Sequence, residues 1–141
     1  MAIVSLSVLF EFSSSHRLYR SELSDVENEK LFGKCANKNG HGHNYVLEVE
    51  VGGTIDPYTG MVIDASLLKE LVESLVIKDV DHKDLNRDTP WLEGCMPTTE
   101  VLAQNIFARI ADGVPTRAPN ARLDSITLRE TRRISVTVTR S

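Results

Sequence analysis

The sequence predicts an α+β fold, with helices packed on one face of an antiparallel sheet. Three observations point there. Strict alternation of apolar and polar residues marks strands near both ends of the chain. Two amphipathic helical stretches occupy the middle. The order is strand-strand-helix-helix-strand-strand, which segregates helices from strand pairs and has no βαβ alternation.

The first strand runs roughly from Ile3 to Ser13: Val4, Leu6, Val8, Phe10 and Phe12 alternate with mostly polar neighbours. Its flanks lack the basic residues of a signal peptide, so it is expected to be a strand. Residues 19–34 are polar and read as a solvated loop, with a helical turn that Ser24 could cap. The second strand carries Tyr45, Leu47, Val49 and Val51 on one face. Asp56-Pro57-Tyr58-Thr59-Gly60 has the chemistry of a turn. The first helix starts after Asp64, an N-cap, and presents Leu68, Leu71, Val72, Leu75 and Val76 at i, i+3, i+4, i+7 and i+8. Val80 to Asn86 is polar and irregular. The second helix opens after Pro97 with Thr98 as cap, buries Leu102, Ala103, Ile106, Phe107 and Ile110, and is expected to stop at Gly113 and Pro115. The last strands span about Arg122 to Glu130 and Arg133 to Thr139.

A chain of 141 residues is expected to form one domain, residues 1–141, with its own core. Its net charge of −4, from 16 basic and 20 acidic residues, argues against nucleic acid as a partner. No stretch approaches the roughly 20 apolar residues of a membrane span. Two distant cysteines form no disulfide framework. The expectation is a soluble, cytoplasmic protein.

Candidate chemistry centres on residues 33–45, where Cys35, His41 and His43 lie close together. On a strand, His41 and His43 share one face, whereas on a helix they would diverge by about 200°. Their parity is that of Tyr45 and Leu47, toward the core. A His-x-His pair is also found as two ordinary histidines where a strand begins. His16 continues the inward parity of Phe12 through Ser14 and supplies a third imidazole. Three protein nitrogens with one open position is the pattern of a catalytic zinc. Cys35 is open to two readings, a fourth ligand or a reactive thiol with a lowered pKa.

Two further groups are open to more than one reading. Asp81-His82 could be an acid–base pair, or a turn-capping Asp beside an exposed His. Glu130 shares the inward parity of Ile126 and Leu128. It either accepts N–H donors from a ring or escapes to solvent at the strand end. Thr98, Thr99 and Glu100, at a helix start, could add polar contacts. Cys95 has no comparable surroundings in sequence.

These residues, with Phe12 to Leu18, Phe32-Gly33-Lys34-Cys35 through His43-Asn44-Tyr45, Asp56-Pro57 through Gly60-Met61-Val62, Asp81 to Asn86, Thr98-Thr99-Glu100 and Glu130-Thr131, closely resemble the 6-pyruvoyltetrahydropterin synthase family. The resemblance covers nearly the whole chain. It implies the tunnelling fold (T-fold): a four-stranded antiparallel sheet with two helices, trimers that close a twelve-stranded barrel, and two trimers stacked as a homohexamer. It implies Zn2+ on His16, His41 and His43, with Cys35 as catalytic base, Asp81 and His82 as proton-transfer partners, and Glu130 as the pterin anchor. It places the active site at a subunit interface, where Cys35 and its His82 need not share a chain.

The implied activity is a zinc-dependent lyase of tetrahydrobiopterin biosynthesis. It converts 7,8-dihydroneopterin triphosphate to 6-pyruvoyltetrahydropterin and triphosphate. Lys34, Lys38, Arg17 and Arg20 are candidates for the triphosphate, on which a Mg2+ ion could ride. The alternative within the family is 6-carboxytetrahydropterin synthase of the queuosine pathway. Its branch typically has a shorter segment before the His-x-His and a tighter Cys-to-His spacing. Here Cys35 and His41 lie six apart and the excursion from Leu23 to Lys34 is present, as in the pyruvoyl branch. A rival of another class is a non-catalytic pterin- or purine-binding module that keeps fold and zinc, against which the intact Cys35, Asp81 and His82 speak.

Overall fold

A computed structural model describes residues 2–141. In chain order it has β1 (Val4–His16), α1 (Asp25–Phe32), a 3-10 turn (Gly33–Ala36) and β2 (His41–Gly53). Then come α2 (Ala65–Val72), a π-helical segment (Glu73–Ile77) that continues it, α3 (Lys78–Val80) and β3 (Lys83–Asp84). A 3-10 turn (Pro90–Leu92), α4 (Thr99–Arg117), β4 (Ala121–Arg129) and β5 (Ser135–Thr139) complete the chain.

The sheet order is β3-β1-β2-β4-β5. β1 and β2 pair antiparallel over their whole length, from Val4 opposite Gly53 to His16 opposite His41. β2–β4 and β4–β5 are also antiparallel. The four expected strands and their order are therefore present, and β1 reaches His16 rather than Ser13. A fifth strand is added: β3, two residues long and parallel to β1, pairs Ser14 with Lys83 and Ser15 with Asp84. Two residues carry no readable alternation, so the stretch reads as irregular in sequence. β3 covers only that end of β1, and Asp81 and His82 engage the Ser13 backbone, which leaves the edge from Val4 to Phe12 free among the described residues; β5 is the opposite edge.

The core lies between one sheet face and the helices. Tyr45, Leu47, Val49 and Val51 of β2 and Leu123, Ile126 and Leu128 of β4 are buried against Leu68, Leu71 and Val72 of α2 and Leu102, Ala103, Ile106 and Ile110 of α4. Each fully buried aliphatic side chain contributes about 1.5–3 kcal/mol relative to exposure. Asp64 caps α2 by accepting from Ser66 N–H at 2.8 Å, and Thr98 caps α4 by accepting from Val101 N–H at 3.1 Å.

Two expectations are corrected. α4 does not stop at Gly113 and Pro115 but runs to Arg117. A Cβ at position 113 would come within 2.9 Å of Leu71 Cδ1 and Leu75 Cδ1, so this glycine serves close helix packing. Pro115 sits in the last turn, where the missing N–H deprives only the Ala111 carbonyl. Residues 25–32 are a helix rather than loop. Ser24 forms a reciprocal capping box with Glu27, Glu27 N–H to Ser24 Oγ at 3.2 Å and Ser24 N–H to Glu27 Oε1 at 3.0 Å. The one buried residue of α1 is Asn28, whose side chain accepts from Arg20 N–H and donates to the Arg20 and Leu23 carbonyls. Val26 and Leu31 are exposed. An apolar stripe is absent because a cap and a buried amide hold this helix.

Candidate metal centre and its surroundings

The strand register assembles the three imidazoles. His16, the last residue of β1, lies opposite His41, the first of β2, and His43 lies opposite Ser14. All three point to the core face, as their parity predicts. Ring centroids are 4.6 Å apart for His16 and His41, 4.8 Å for His41 and His43, and 5.2 Å for His16 and His43. One ring nitrogen from each forms a set whose members all lie within 4.8 Å of one another, and Cys35 does not join it.

His16 is 2% exposed and its Nδ1 lies 2.7 Å from the Pro97 carbonyl. A carbonyl only accepts, so Nδ1 carries the proton and Nε2 turns a lone pair into the cluster. That Nε2 is 3.1 Å from His41 Nε2. Two nitrogens bound at about 2.0–2.1 Å to one tetrahedral zinc would be about 3.3 Å apart, so the spacing fits. Burial is the main force pushing all three imidazoles below their ordinary pKa of 6.5. The neutral form is the one that ligates metal. His41 Nδ1 and His43 Nε2 are buried with no hydrogen-bond partner among the described residues. Three neutral imidazoles, two of them with an unsatisfied nitrogen, are a donor set that fits zinc.

Glu130 follows β4 directly and turns inward. Its Oε1 is 3.2 Å from His43 Nε2, out of hydrogen-bond alignment, and 3.7 Å from His16 Nε2. Tyr45, the next inward position after His43, stacks on Phe12 at 4.9 Å between ring centroids. Burial, then the charges of Glu130 and Cys35, push the Tyr45 hydroxyl well above its ordinary range, so it stays protonated. Its buried oxygen also lacks a partner among the described residues. Sequence reading treats Tyr45 as core. The signal that could have found it is its place two residues beyond His43, on the same face.

Cys35 sits half-buried in the 3-10 turn after Gly33, whose φ of 62° ends α1. Its carbonyl accepts from Leu18 N–H at 2.8 Å. Cys95 is exposed, and both thiols are free.

Asp81 and His82 do touch: His82 Nδ1 lies 2.9 Å from Asp81 Oδ1. Asp81 Oδ1 also accepts from Ser13 N–H at 3.0 Å. That backbone bond, foremost, holds the Asp81 carboxyl below its ordinary pKa. His82 has a φ of 59°, rare for a residue with a Cβ, and its N–H donates to Ser13 O at 2.6 Å. The imidazole is 83% exposed and lines two clefts with the outward-facing Ser13 and Asn44. The dyad sits at the sheet edge beside Ser13, and one of the clefts it lines is also lined by His43.

The remaining candidates divide. Thr98 Oγ1 is engaged as the α4 cap, Thr99 is buried and Glu100 is exposed. Arg17, Lys34 and Lys38 line one cleft of about 580 Å³ with Asp25 and Glu29. Lys38 Nζ pairs with Asp25 Oδ2 at 2.9 Å. Arg20 is not in that cleft and pairs with Glu22 at 2.7 Å.

An antiparallel hairpin that ends in three inward imidazoles, with a carboxylate beside them and helices over one sheet face, defines an α+β protein built to hold a metal ion. A family model described as 6-pyruvoyl tetrahydropterin synthase matches residues 5–141, and the chain belongs to that family. It is 49% identical over 104 residues to a Homo sapiens protein named 6-pyruvoyl tetrahydrobiopterin synthase, covering 74% of this chain and 72% of the other. It is 37% identical over 111 residues to a Synechocystis 6-carboxy-5,6,7,8-tetrahydropterin synthase, covering 75% of this chain and 74% of the other. The solved 6-pyruvoyl tetrahydropterin synthase of Caenorhabditis elegans superposes with a TM-score of 0.86 at 38% identity, over 100% of this chain and 98% of that one.

Proposed function

We propose that the chain is a zinc-dependent lyase that converts 7,8-dihydroneopterin triphosphate to 6-pyruvoyltetrahydropterin and triphosphate in tetrahydrobiopterin biosynthesis. One observation carries the reading: the 49% identity to a protein bearing that activity's name, against 37% to the carboxy-product relative.

His16, His41 and His43 would hold the ion, which when bound would polarise the substrate's side-chain hydroxyl oxygens and acidify the neighbouring C–H groups. Cys35, as thiolate, is the base that moves protons between side chain and ring. His82 returns or relays them, with Asp81 fixing its ring and stabilising the imidazolium. Glu130 accepts paired N–H bonds from the pterin ring, with Thr98, Thr99 and Glu100 as further polar contacts. Lys34 and Lys38 serve the triphosphate, on which a Mg2+ ion would ride. The redox change is internal to the substrate, so electrons balance without an external carrier.

The assembly we propose is a homohexamer, two stacked trimers with active sites between subunits. The edges of β5 and of β1 from Val4 to Phe12, free among the described residues, support such pairing. The exposed Asp81–His82 pair, held at the sheet edge by the Ser13 backbone, supports donation to a neighbour's site. No helix of the described residues is long and apolar enough to cross a membrane, and the free thiols fit a reducing, cytoplasmic setting.

Incubation of pure protein with 7,8-dihydroneopterin triphosphate, with products identified by mass, tests the reading. The pyruvoyl product with one triphosphate released is expected. A 6-carboxy product, or binding without turnover, overturns it.

A further inference from the structure

The peptide that follows His16 is held by a side chain 69 residues away. β3 ends at Asp84, and the Leu85 N–H makes the last backbone bond to β1, to Ser15 O at 2.8 Å. One step further, the primary amide of Asn86 takes the place of a strand. Its Oδ1 accepts from Arg17 N–H at 2.7 Å and its Nδ2 donates to Arg17 O at 2.9 Å. Both backbone groups of Arg17 are thereby fixed by one planar group. An Asx turn, Asn86 N–H to Asp84 Oδ1 at 2.9 Å, sets the start of that side chain.

The side chain of Arg17 then reaches the turn that carries the thiol. Its Nε donates to Ala36 O at 3.0 Å, and its guanidinium lies 3.9 Å over the Tyr19 ring. Leu18 N–H donates to Cys35 O at 2.8 Å. Two consecutive carbonyls of the 3-10 turn, Cys35 and Ala36, are thus fastened to two consecutive residues just after a candidate metal ligand. The turn has few other anchors: Cys35 is only half-buried, and of its four residues only Ala36 is buried. A loosely packed turn is set by its polar bonds.

We infer that Asn86 and Arg17 are positioning residues that fix the Cys35 thiol against the three-imidazole site. The inference rests on the proposed role of Cys35 in the reaction. Asn86 acts through the backbone of Arg17, and Arg17 acts through the carbonyl of Ala36.

The test uses a Cys95→Ala parent, so that Cys35 is the one thiol, and three variants: Asn86→Ala, Asn86→Asp and Arg17→Lys. Misplacement of a reacting group by about 1 Å is enough to slow turnover on the order of 100-fold. Asn86→Ala is expected to lower kcat by about 10- to 100-fold with KM within about twofold, and to leave zinc content unchanged. Alkylation of Cys35 by iodoacetamide should accelerate roughly fivefold or more as the turn loosens. Asn86→Asp keeps the acceptor for Arg17 N–H but loses the donor to Arg17 O, and should fall between. Arg17→Lys loses the Nε bond and should accelerate alkylation as well. Alkylation rates equal to the parent in both Asn86→Ala and Arg17→Lys would overturn the inference. So would Arg17→Lys changing KM alone, which is the mark of a triphosphate contact. Alkylation is read without substrate, so it decides the positioning role even if the parent fails to turn over the pterin.

Discussion

Ser13 and His16 are three residues apart on one strand, yet the groups they hold live in different media. The backbone of Ser13 holds Asp81 and His82 at the edge of the sheet, with the His82 imidazole 83% exposed. His16 is 2% exposed and faces two more imidazoles. Burial makes the second set neutral and ready for a metal ion, with the Pro97 carbonyl and the Glu130 carboxylate beside it. The first set has its geometry but not its dry surroundings. In the proposed reading this acid–base pair, left in water on its own chain, is completed by the surface of a neighbouring subunit.

The sharpest break of the contrast is removal of an imidazole. His41→Ala and His43→Ala should each lose zinc or bind it far more weakly, because two ligands do not make a tight site. Elemental analysis of the purified variants reads this, and full occupancy in both would refute the three-histidine set.

Removing the thiol or the exposed imidazole should act on turnover alone. Cys35→Ala and His82→Ala are each expected to keep zinc and lose product formation by about 100-fold or more. The comparison is sharpened by mixing. If His82 serves a neighbouring subunit, co-assembled Cys35→Ala and His82→Ala chains regain roughly a quarter of the parental turnover. Mixed assemblies no more active than either variant would place both groups in one chain's site.

Glu130 lies on the buried side of the contrast. Glu130→Ala should weaken a pterin ligand by about 10- to 1000-fold, the loss of one or two charge-assisted bonds, while zinc remains. Titration with sepiapterin decides, and unchanged affinity would leave Glu130 as a neighbour of the imidazoles only.

The smallest effect is on stability in acid. His16, His41 and His43 have pKa values below 6.5 in the folded chain and ordinary values when unfolded. As pH falls below about 6.5 the unfolded chain takes up protons first, so stability drops through that window and is full above it. The metal-free protein should melt at a lower temperature at pH 5.5 than at pH 7.5.

How much of this was legible in the sequence follows the same divide. Period-two alternation is local information, so His16, His41, His43 and Glu130 could be aimed at one face before any pairing was known. The caps Asp64 and Thr98 were equally plain. α1 was not, because Asn28 and a capping box replace the apolar stripe that periodicity detects. β3 was too short to alternate. The position of Asp81–His82 relative to the cluster depends on which face of a distant strand they meet, and nothing in the irregular run from Val80 to Asn86 encodes that. The Pro97 carbonyl that orients His16 is backbone and has no side-chain signature. Asn86, 69 positions from its partner, was legible only as one polar residue in an irregular run.

The placement of all three imidazoles on the β1–β2 pair has a consequence in the time of synthesis. Residue 43 completes the set 54 residues before Pro97 and 87 before Glu130. At about 5–20 residues per second, those stretches take roughly 3–11 s and 4–17 s. The nascent chain thus owns its full set of ligands before it owns the Pro97 carbonyl that sets the His16 tautomer or the carboxylate of Glu130 beside His43. Gathering the ligands and locking them are separate events on the ribosome, ordered by nothing more than position in the chain.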